Sequence, residues 1–344
     1  MKSKRSAWMV VVVTLLLIHS AAFAQLPQSS PEAMKGMRRR GVMPLPQVGS
    51  TLAQTTEAGT QQTNAPALSL TWGIYTFPGS VGTFTADVNK AGHAVGGYGP
   101  NVNANLPSNH GFLLKGTKFT TIDYPGAAWT QPNAINDAGV IVGAYGASLS
   151  DEHGFKLTVT TYTSIDYPGA TGTFALGINK LGSVVGTWFS PTNPCCSHGF
   201  LLSGGVFTSI DYPGAIYTAP FGINTAGEIA GFYGDSSGDT HGFLLKSGTF
   251  TTFDYPGYSQ NYVSDINDSG LIAGGYGDIV TVNGVEYEWE HSYIYESGTF
   301  TTFDAPFGPP AATQIWHLND YGVIAGFYVD NSSTAYGFEA KVGP

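Results

Sequence analysis

The chain has 344 residues, of which only 11% are charged, and 24 Asp and Glu against 14 Lys and Arg give it a formal net charge of −10. From Leu68 onward there is no arginine, and the lysines (Lys90, Lys115, Lys118, Lys156, Lys180, Lys246, Lys341) are outnumbered by carboxylates. That balance excludes a nucleic-acid binder, which needs a basic face, and it removes the bidentate guanidinium forks that favour phosphate recognition.

At the N-terminus, Lys2, Lys4 and Arg5 precede an apolar run from Ala7 to Ile18, and Ala22-Phe23-Ala24 places small residues where a signal peptidase reads. A signal peptide over residues 1–24, cut before Gln25, is expected. The apolar run is shorter than the ~20 residues that cross a bilayer, and no later stretch is apolar enough to span. The mature chain is therefore expected to be extracellular or periplasmic, without a membrane span. Residues 25–67 are rich in Pro, Gln, Thr, Ser and Ala, with one basic cluster from Lys35 to Arg40. Few bulky apolar residues are spaced to form a core there, which predicts a disordered linker.

Residues 68–344 are organised by internal repetition. Ile122-Asp123-Tyr124-Pro125-Gly126 returns at Ile165, Ile210 and Phe253, and in worn form at Phe303-Asp304-Ala305-Pro306. Ile135-Asn136-Asp137-Ala138-Gly139 returns at Ile178, Ile223, Ile266 and Leu318, and upstream at Val88. A Gly-x-Tyr string follows it each time, with Trp188 in the tyrosine slot of one copy. His-Gly-Phe stands at His110, His153, His198 and His241, altered to His291-Ser292-Tyr293 and then Tyr336-Gly337-Phe338.

Each string has a mechanical reading. Tyr-Pro-Gly puts proline where φ is already fixed and glycine where φ must be positive, a type II turn. Asn-x-x-Gly between apolar runs reads as a type I turn closed by a left-handed glycine. The flanks are short, β-branched and aromatic, which suits strands rather than helices. A unit of about four strands with a period of roughly 40–45 residues is that of a propeller blade. The predicted fold is all-β, a six-bladed β-propeller. The first strand (Gly73–Gly79) matches the Ile-Asp-Tyr-Pro-Gly strand and the last (Tyr336–Lys341) matches the His-Gly-Phe strand, so pairing of the two would complete one blade and close the ring. An open solenoid is the rival, and it would need capping units at its ends.

His-Gly-Phe, Gly-Ile-Asn-x-x-Gly and Ile-Asp-Tyr-Pro-Gly together resemble the bacterial extracellular repeats of the HAF family, named for a His-Ala-Phe string. Glycine replaces the alanine in every copy here that keeps the histidine and phenylalanine. The resemblance covers nearly all of residues 68–344. It implies an exported repeat protein and brings neither an established reaction nor a catalytic residue.

A residue present in every unit reads as framework. Asp123, Asp166, Asp211, Asp254 and Asp304 fall under that rule, as do His110, His153, His198, His241 and His291, with an imidazole bonded to a carboxylate or carbonyl as the expected role. No nucleophile elbow, zinc helix or phosphate-binding loop is present. A glycosidase needs only two opposed carboxylates, and the acids outside the repeat are Asp87, Glu228, Asp265, Glu286, Glu288 and Glu290. The last three alternate with Tyr287 and Trp289 and so would share one strand face, a solvated hairpin on the plainer reading. No cofactor is implied; Asp235 and Asp239, with Asp278, offer loop oxygens of the kind calcium takes, although the ligand spacing of a helix-hand loop is absent. Cys195 and Cys196 are adjacent, and either pair with each other or stay as thiols.

Ligand binding is expected where the units differ. Trp129, Tyr217, Gln260 and Trp316, with His317 beside it, fall between the proline turn and the Asn turn. If that stretch reaches one rim of the ring, its aromatics and amides would suit a sugar or a peptide chain; packing of both tryptophans into the core is the alternative. The functional expectation is an exported, non-enzymatic scaffold that binds a carbohydrate or extracellular protein. A polysaccharide-acting hydrolase or lyase and a structural envelope spacer are the alternatives.

Overall fold

The computed structural model describes residues 70–80, 82–99, 110–148, 151–282, 285–303, 312–329 and 335–342, with backbone alone at 70–72, 194–195, 278–282, 285–290, 312, 329, 335 and 342. The signal-peptide and linker expectations lie outside these residues. Among them every regular element is a strand, and no helix is long and apolar enough to cross a membrane.

The 24 described strands fall into antiparallel meanders of four. The first strand of each is β2 (Gly82–Val88), β6 (Trp129–Ile135), β10 (Gly172–Ile178), β14 (Tyr217–Ile223), β18 (Gln260–Ile266) or β22 (Ala312–Leu318). The second is β3 (His93–Gly99), β7 (Ile141–Ser148), β11 (Val184–Ser190), β15 (Ile229–Gly234), β19 (Ile272–Val282) or β23 (Val323–Val329). The His-Gly-Phe string begins or lies within the third, which is β4 (His110–Lys115), β8 (Asp151–Thr158), β12 (Asn193–Ser203), β16 (Thr240–Lys246), β20 (Val285–Glu296) or β24 (Ala335–Val342). The outer strand is β5 (Lys118–Ile122), β9 (Thr161–Ile165), β13 (Val206–Ile210), β17 (Thr249–Phe253) or β21 (Thr299–Phe303). In the last meander the outer place is taken by β1 (Leu70–Tyr75), which pairs with β24 from Leu70↔Val342 to Tyr75↔Gly337. Only single parallel bridges, Gly172↔Glu152 and Thr240↔Gln260, connect one meander to the next within a sheet.

The turns follow the sequence chemistry. The Tyr124 carbonyl accepts from Ala127 N at 3.0 Å across Pro125-Gly126, and Gly126 has φ 83°. In the Asn turns Gly139 N donates to Asn136 O at 2.9 Å with φ 78° at the glycine, and the same pattern recurs at Asn89, Asn179, Asn224, Asn267 and Asn319.

One meander leaves its apolar face bare, and the cores accordingly lie between meanders. Val95 and Ile122 of the first pack with Ile135, Ile141 and Phe155 of the second. Val185 and Ile210 of the third pack with Ile223, Ile229 and Phe243 of the fourth. Ala325 of the sixth packs with Val88, Ala94 and Phe112 of the first. The string phenylalanines Phe112, Phe155, Phe200, Phe243 and Phe338 are all fully buried, each contributing about 2–3 kcal/mol of apolar burial. Tyr293 fills that slot in the fifth meander, and its buried hydroxyl donates to Tyr262 O at 3.2 Å.

A second tie is polar. Asn89 Nδ2 donates to Asn136 O, Asn136 to Asn179 O, Asn179 to Asn224 O, Asn224 to Asn267 O and Asn267 to Asn319 O, at 3.0–3.3 Å. Asn319 Nδ2 then donates to Val88 O at 3.2 Å, so the series returns to the meander where it began.

Candidate functional site

The first strands converge on a cavity of about 150 Å³, lined by residues of all of them. Each of these strands carries a register shift two residues before its end, between Thr85/Asp87, Pro132/Ala134, Ala175/Gly177, Pro220/Gly222, Val263/Asp265 and Ile315/His317. A bulge leaves one residue unpaired and re-aims its side chain. The residues so placed are Ala86, Asn133, Leu176, Phe221, Ser264 and Trp316, and all but Ala86 line the cavity. The stretch expected at a rim is therefore a strand whose later residues line the cavity, and its variation sits where the bulge turns it inward.

The residue after the bulge sets a second layer: Asp87, Ala134, Gly177, Gly222, Asp265 and His317. On one side three small residues let the strands approach; a Cβ on Gly177 would lie 2.2 Å from Phe221 O. On the other side three ionisable groups meet. His317 Nε2 is 2.7 Å from Asp87 Oδ1 and its Nδ1 is 2.5 Å from Asp265 Oδ2. The remaining carboxylate capacity is directed at backbone, with Ile135 N donating to Asp87 Oδ2 at 2.7 Å and Leu318 N to Asp265 Oδ2 at 2.9 Å. Burial by itself would depress the imidazole, but the Asp87 and Asp265 charges outweigh it and hold His317 well above its ordinary value. Burial pushes the Asp265 carboxyl up, and the imidazolium opposes that rise.

His317 is thus an imidazolium with both nitrogens engaged. It has no lone pair for a metal and cannot act as a general base. The Asp87 and Asp265 carboxylates flank one ring and leave no gap for a glycosidic bond between them, unlike the opposed acids of a glycosidase.

At the Asn-turn end of the cavity the residues after each asparagine are charged or polar. Lys180, from the third meander, reaches across to Asp268 and Asp320 of the fifth and sixth, at 2.9 Å from Asp268 Oδ2 and in contact with Asp320 Oδ2. Hydrogen bonds to Asp320 and Asp268 raise its ammonium above the usual lysine range. Asp137 Oδ1 accepts Lys90 N at 2.9 Å and Asp268 Oδ1 accepts Thr225 N at 2.7 Å, so these carboxylates also link neighbouring meanders.

Of the expected ligand residues, Trp316 and His317 reach the cavity. The other three are packed. Trp129 is buried with Nε1 donating to Ser148 O at 3.1 Å, Tyr217 is buried with its hydroxyl 2.9 Å from Thr240 Oγ1, and Gln260 is buried with Nε2 3.5 Å from Gly238 O. All three begin their strands, where the side chain is covered by the following strands rather than presented at a rim. Of the off-pattern acids, Asp87 and Asp265 meet in the cavity, whereas Glu228 is held by Lys246 at 2.6 Å and by Asn224, which lower its carboxyl. The side chains of Glu286, Glu288 and Glu290 lie outside the described residues.

The repeated His and Asp residues do pair, Nδ1 to carboxylate: His110–Asp123 at 3.0 Å, His153–Asp166 at 2.8 Å, His198–Asp211 at 2.9 Å and His241–Asp254 at 2.8 Å. They are not buried as a hydrogen-bond requirement would suggest; the His110 and Asp123 side chains are 46% and 47% exposed. Each imidazole instead stacks on the Gly-x-Tyr aromatic, which stacks on the aromatic residue of the preceding Pro-Gly turn, Phe77 in the first case and a tyrosine in the others, as in Tyr124–Tyr145 at 3.5 Å and Tyr145–His153 at 5.3 Å. His291 stacks on Tyr276 in the same way, and Asp304 lies outside the described residues.

The calcium expectation is only partly covered, since the Asp278 side chain lies outside the described residues. Asp235 Oδ1 accepts N–H groups from Ser237, Gly238 and Asp239 at 2.8–3.0 Å, which overcome its slight burial and hold its carboxyl below the usual range. That oxygen turns into its own loop, and among the described residues no group of three or more His, Cys, Asp or Glu could hold a metal. Asp239 donates its backbone N–H within this turn. Cys196 is buried on β12, and the Cys195 side chain, with the disulfide expectation, lies outside the described residues.

Sequence reasoning singled out Trp316, His317, Asp87 and Asp265 but missed Asn133, Leu176, Phe221, Ser264 and the crossing by Lys180. The signal for the former was available: they occupy one fixed offset from each Asn turn and share no common chemistry.

Neither a protein-family model nor a curated relative matches the chain. Among solved structures it is similar to AofleA from Arthrobotrys oligospora, with 10% identity and a TM-score of 0.48 over 78% of this chain and 85% of that one. It is similar to a variant of the Aleuria aurantia lectin in complex with alpha-methyl-L-fucoside, with 9% identity and a TM-score of 0.44 over 76% and 93%. It is also similar to TolB from Acinetobacter baumannii, with 11% identity and a TM-score of 0.44 over 72% of this chain and 63% of that one. These likenesses transfer neither a residue nor a ligand to this chain.

Proposed function

We propose that the meanders close into a six-bladed β-propeller, and that the protein is an exported, non-enzymatic scaffold binding a carbohydrate or protein group in its central cavity. The β1–β24 pairing and the return of the asparagine series to Val88 support closure. One observation carries the functional part. The repeated side chains are used up in packing and in joints between meanders, whereas the non-repeated Asn133, Leu176, Phe221, Ser264 and Trp316 converge on a single cavity. The repeated asparagines and isoleucines of the Asn turns line one end of it as framework, so the layer in which Asn133, Leu176, Phe221, Ser264 and Trp316 differ from unit to unit is the one that would carry recognition.

Aromatic and amide groups give that cavity its recognition chemistry. Trp316 and Tyr262 contribute rings to its walls, and Gln131, Asn133 and Gln314 contribute amides held in place by bonds from Gln131 to Asn133, from Asn133 to the Ala175 carbonyl and from Trp316 to Gln314. A cavity of about 150 Å³ is smaller than the ~300–1,000 Å³ of drug-sized pockets. It suits one sugar ring or one side chain presented by a larger partner, rather than a threaded polymer. The hydrolase or lyase reading has the Asp87 and Asp265 carboxylates in its favour, but the imidazolium between them occupies the place a substrate bond would need.

A glycan array with the mature protein, followed by calorimetry and turnover assays on each hit, tests the reading. Binding without turnover that disappears in Trp316→Ala is the expected result. Turnover that disappears in Asp265→Asn would establish the enzyme instead, and the absence of any glycan or envelope-protein ligand would favour the spacer.

A further inference from the structure

The walls of the central cavity are unevenly charged. Five carboxylates line it, Asp87, Asp137, Asp265, Asp268 and Asp320, against Lys180 and the His317 imidazolium. Lys90 is outside the lining, with its ammonium 5.0 Å from the centre of the Tyr321 ring. Several of the carboxylates accept backbone N–H groups, which fixes their positions without neutralising them. Negative charge in a recess with low-dielectric walls is focused rather than dispersed, and it raises the local concentration of cations. Trp316, Phe221 and Tyr262 add aromatic rings to the same walls, and an aromatic face attracts a cation and not an anion.

An anionic ligand would meet the opposite conditions. No arginine exists from Leu68 onward to receive a carboxylate or sulfate, and both nitrogens of His317 are already taken by carboxylates. The chain also supplies its own example of what fits: the Lys180 ammonium crosses the Asn-turn end and lies between Asp268 and Asp320.

We infer that the group taken into the cavity is a primary ammonium on a small polar body, and that carboxylate-bearing saccharides are excluded. The inference rests on the cavity being the ligand site, as proposed above, and adds the charge of the ligand. An amino sugar and a lysine side chain share this chemistry.

Calorimetry on the full mature chain at near-neutral pH and low salt tests it with four probes: glucosamine, N-acetylglucosamine, glucuronate and lysine amide. Glucosamine or lysine amide is expected to bind at least about ten-fold more tightly than N-acetylglucosamine, with no heat from glucuronate, and high salt is expected to weaken the ammonium probes. Whichever ammonium probe binds more tightly identifies the source. Lys180→Ala should tighten ammonium binding by removing the internal competitor, and Asp268→Asn should loosen it. Equal or tighter binding of N-acetylglucosamine or glucuronate, still lost in Trp316→Ala, would overturn the charge inference and keep the cavity as the ligand site. Failure of both ammonium probes would overturn the inference as well, while array hits sensitive to Trp316→Ala would leave the broader reading standing.

Discussion

His317 and Asp87 form an ion pair across the junction between the last meander and the first, with Nε2 2.7 Å from Oδ1. The last meander is assembled from both ends of the described chain, because β1 completes the sheet begun by β22. At the equivalent position its neighbours on either side carry Asp87 and Asp265, while the other three carry Ala134, Gly177 and Gly222. The charged clasp therefore stands at the one meander whose own strands are not continuous in sequence, β1 being joined to β24 by pairing alone.

Removing the cation from this clasp leaves two buried carboxylates facing each other. His317→Ala is expected to cost about 3–5 kcal/mol in urea unfolding, because the uncompensated charges and not the lost contact dominate. The pH dependence has a definite sign. His317 is raised well above 6.5, so its contribution is complete below that value and is lost as pH rises through the higher folded-state value. Unfolding curves of the native protein should weaken on the alkaline side of neutrality, and those of His317→Ala should lack that decline. A parallel pH dependence in both would remove the clasp.

Glu152 gives a second pH effect by a different cause. It sits on β8 beside Gly172 of the next meander, is only 9% exposed, and its Oε1 has no hydrogen-bond partner. Burial alone pushes its carboxyl up to about 7. A carboxyl raised in the folded state favours folding while protonated, so stability falls as pH climbs from about 4.5 to about 7. At about 1.4 kcal/mol per pH unit the full loss is roughly 3 kcal/mol. Glu152→Gln is expected to recover most of it above pH 7 and to change little below pH 4.5, as read by chemical denaturation across that range. Glu152→Gln that is no more stable than the native protein at alkaline pH would refute the assignment.

The asparagine series separates turn formation from joining. Asn179 Oδ1 accepts the N–H groups of Leu181 and Ser183 at 3.0 and 2.9 Å, and Nδ2 donates to Asn224 O at 3.0 Å. Asn179→Asp keeps the acceptor and loses the donor, leaving the Asn224 carbonyl short of a partner. A cost of about 1–3 kcal/mol is expected, with the larger part shared by Asn179→Ala. Amide exchange should quicken on both flanking meanders in Asn179→Asp; exchange that quickens only within the Asn179 turn would confine the residue to a local role.

Strand identity and order were legible because they rest on turn chemistry that is local. Pro125-Gly126 and Asn136 to Gly139 dictate their φ values wherever the chain goes, and the structure follows them. The pairing of β1 with β24 was legible through the phase of the strings at the two ends. The cavity was only half legible. Trp316 and His317 stood out as departures from the repeat, whereas Asn133 and Ser264 were marked only by their shared offset from Asn136 and Asn267, because the bulge that turns them inward leaves no residue pattern of its own. The contact of His317 with Asp87 and Asp265 depends on which meanders are neighbours and at which layer, a relationship that spacing along the chain does not encode. Trp129 and Tyr217 misled for the converse reason: a large aromatic outside the repeat also results when one joint needs filling.

Two kinds of repeated glycine give the last prediction. Gly182 closes its Asn turn with φ 82° and has nothing within 4 Å of where a Cβ would stand, so only its backbone conformation demands glycine. Gly186, four residues on, belongs to the Gly-x-Tyr string and has no left-handed φ. A Cβ there would lie 1.9 Å from Phe174 O and 2.9 Å from the Phe200 ring, which places the backbone of β10 and the core phenylalanine against β11. Gly182→Ala is expected to cost about 1–2 kcal/mol, the strain of a left-handed alanine. Gly186→Ala must displace a strand or a buried ring, and a loss of about 3 kcal/mol or more is expected. Paired thermal melts of the two variants check the order. If Gly182→Ala proves the more damaging, the glycine of the Gly-x-Tyr string does not mark close approach between strand and core ring, and its recurrence in every meander would need another cause.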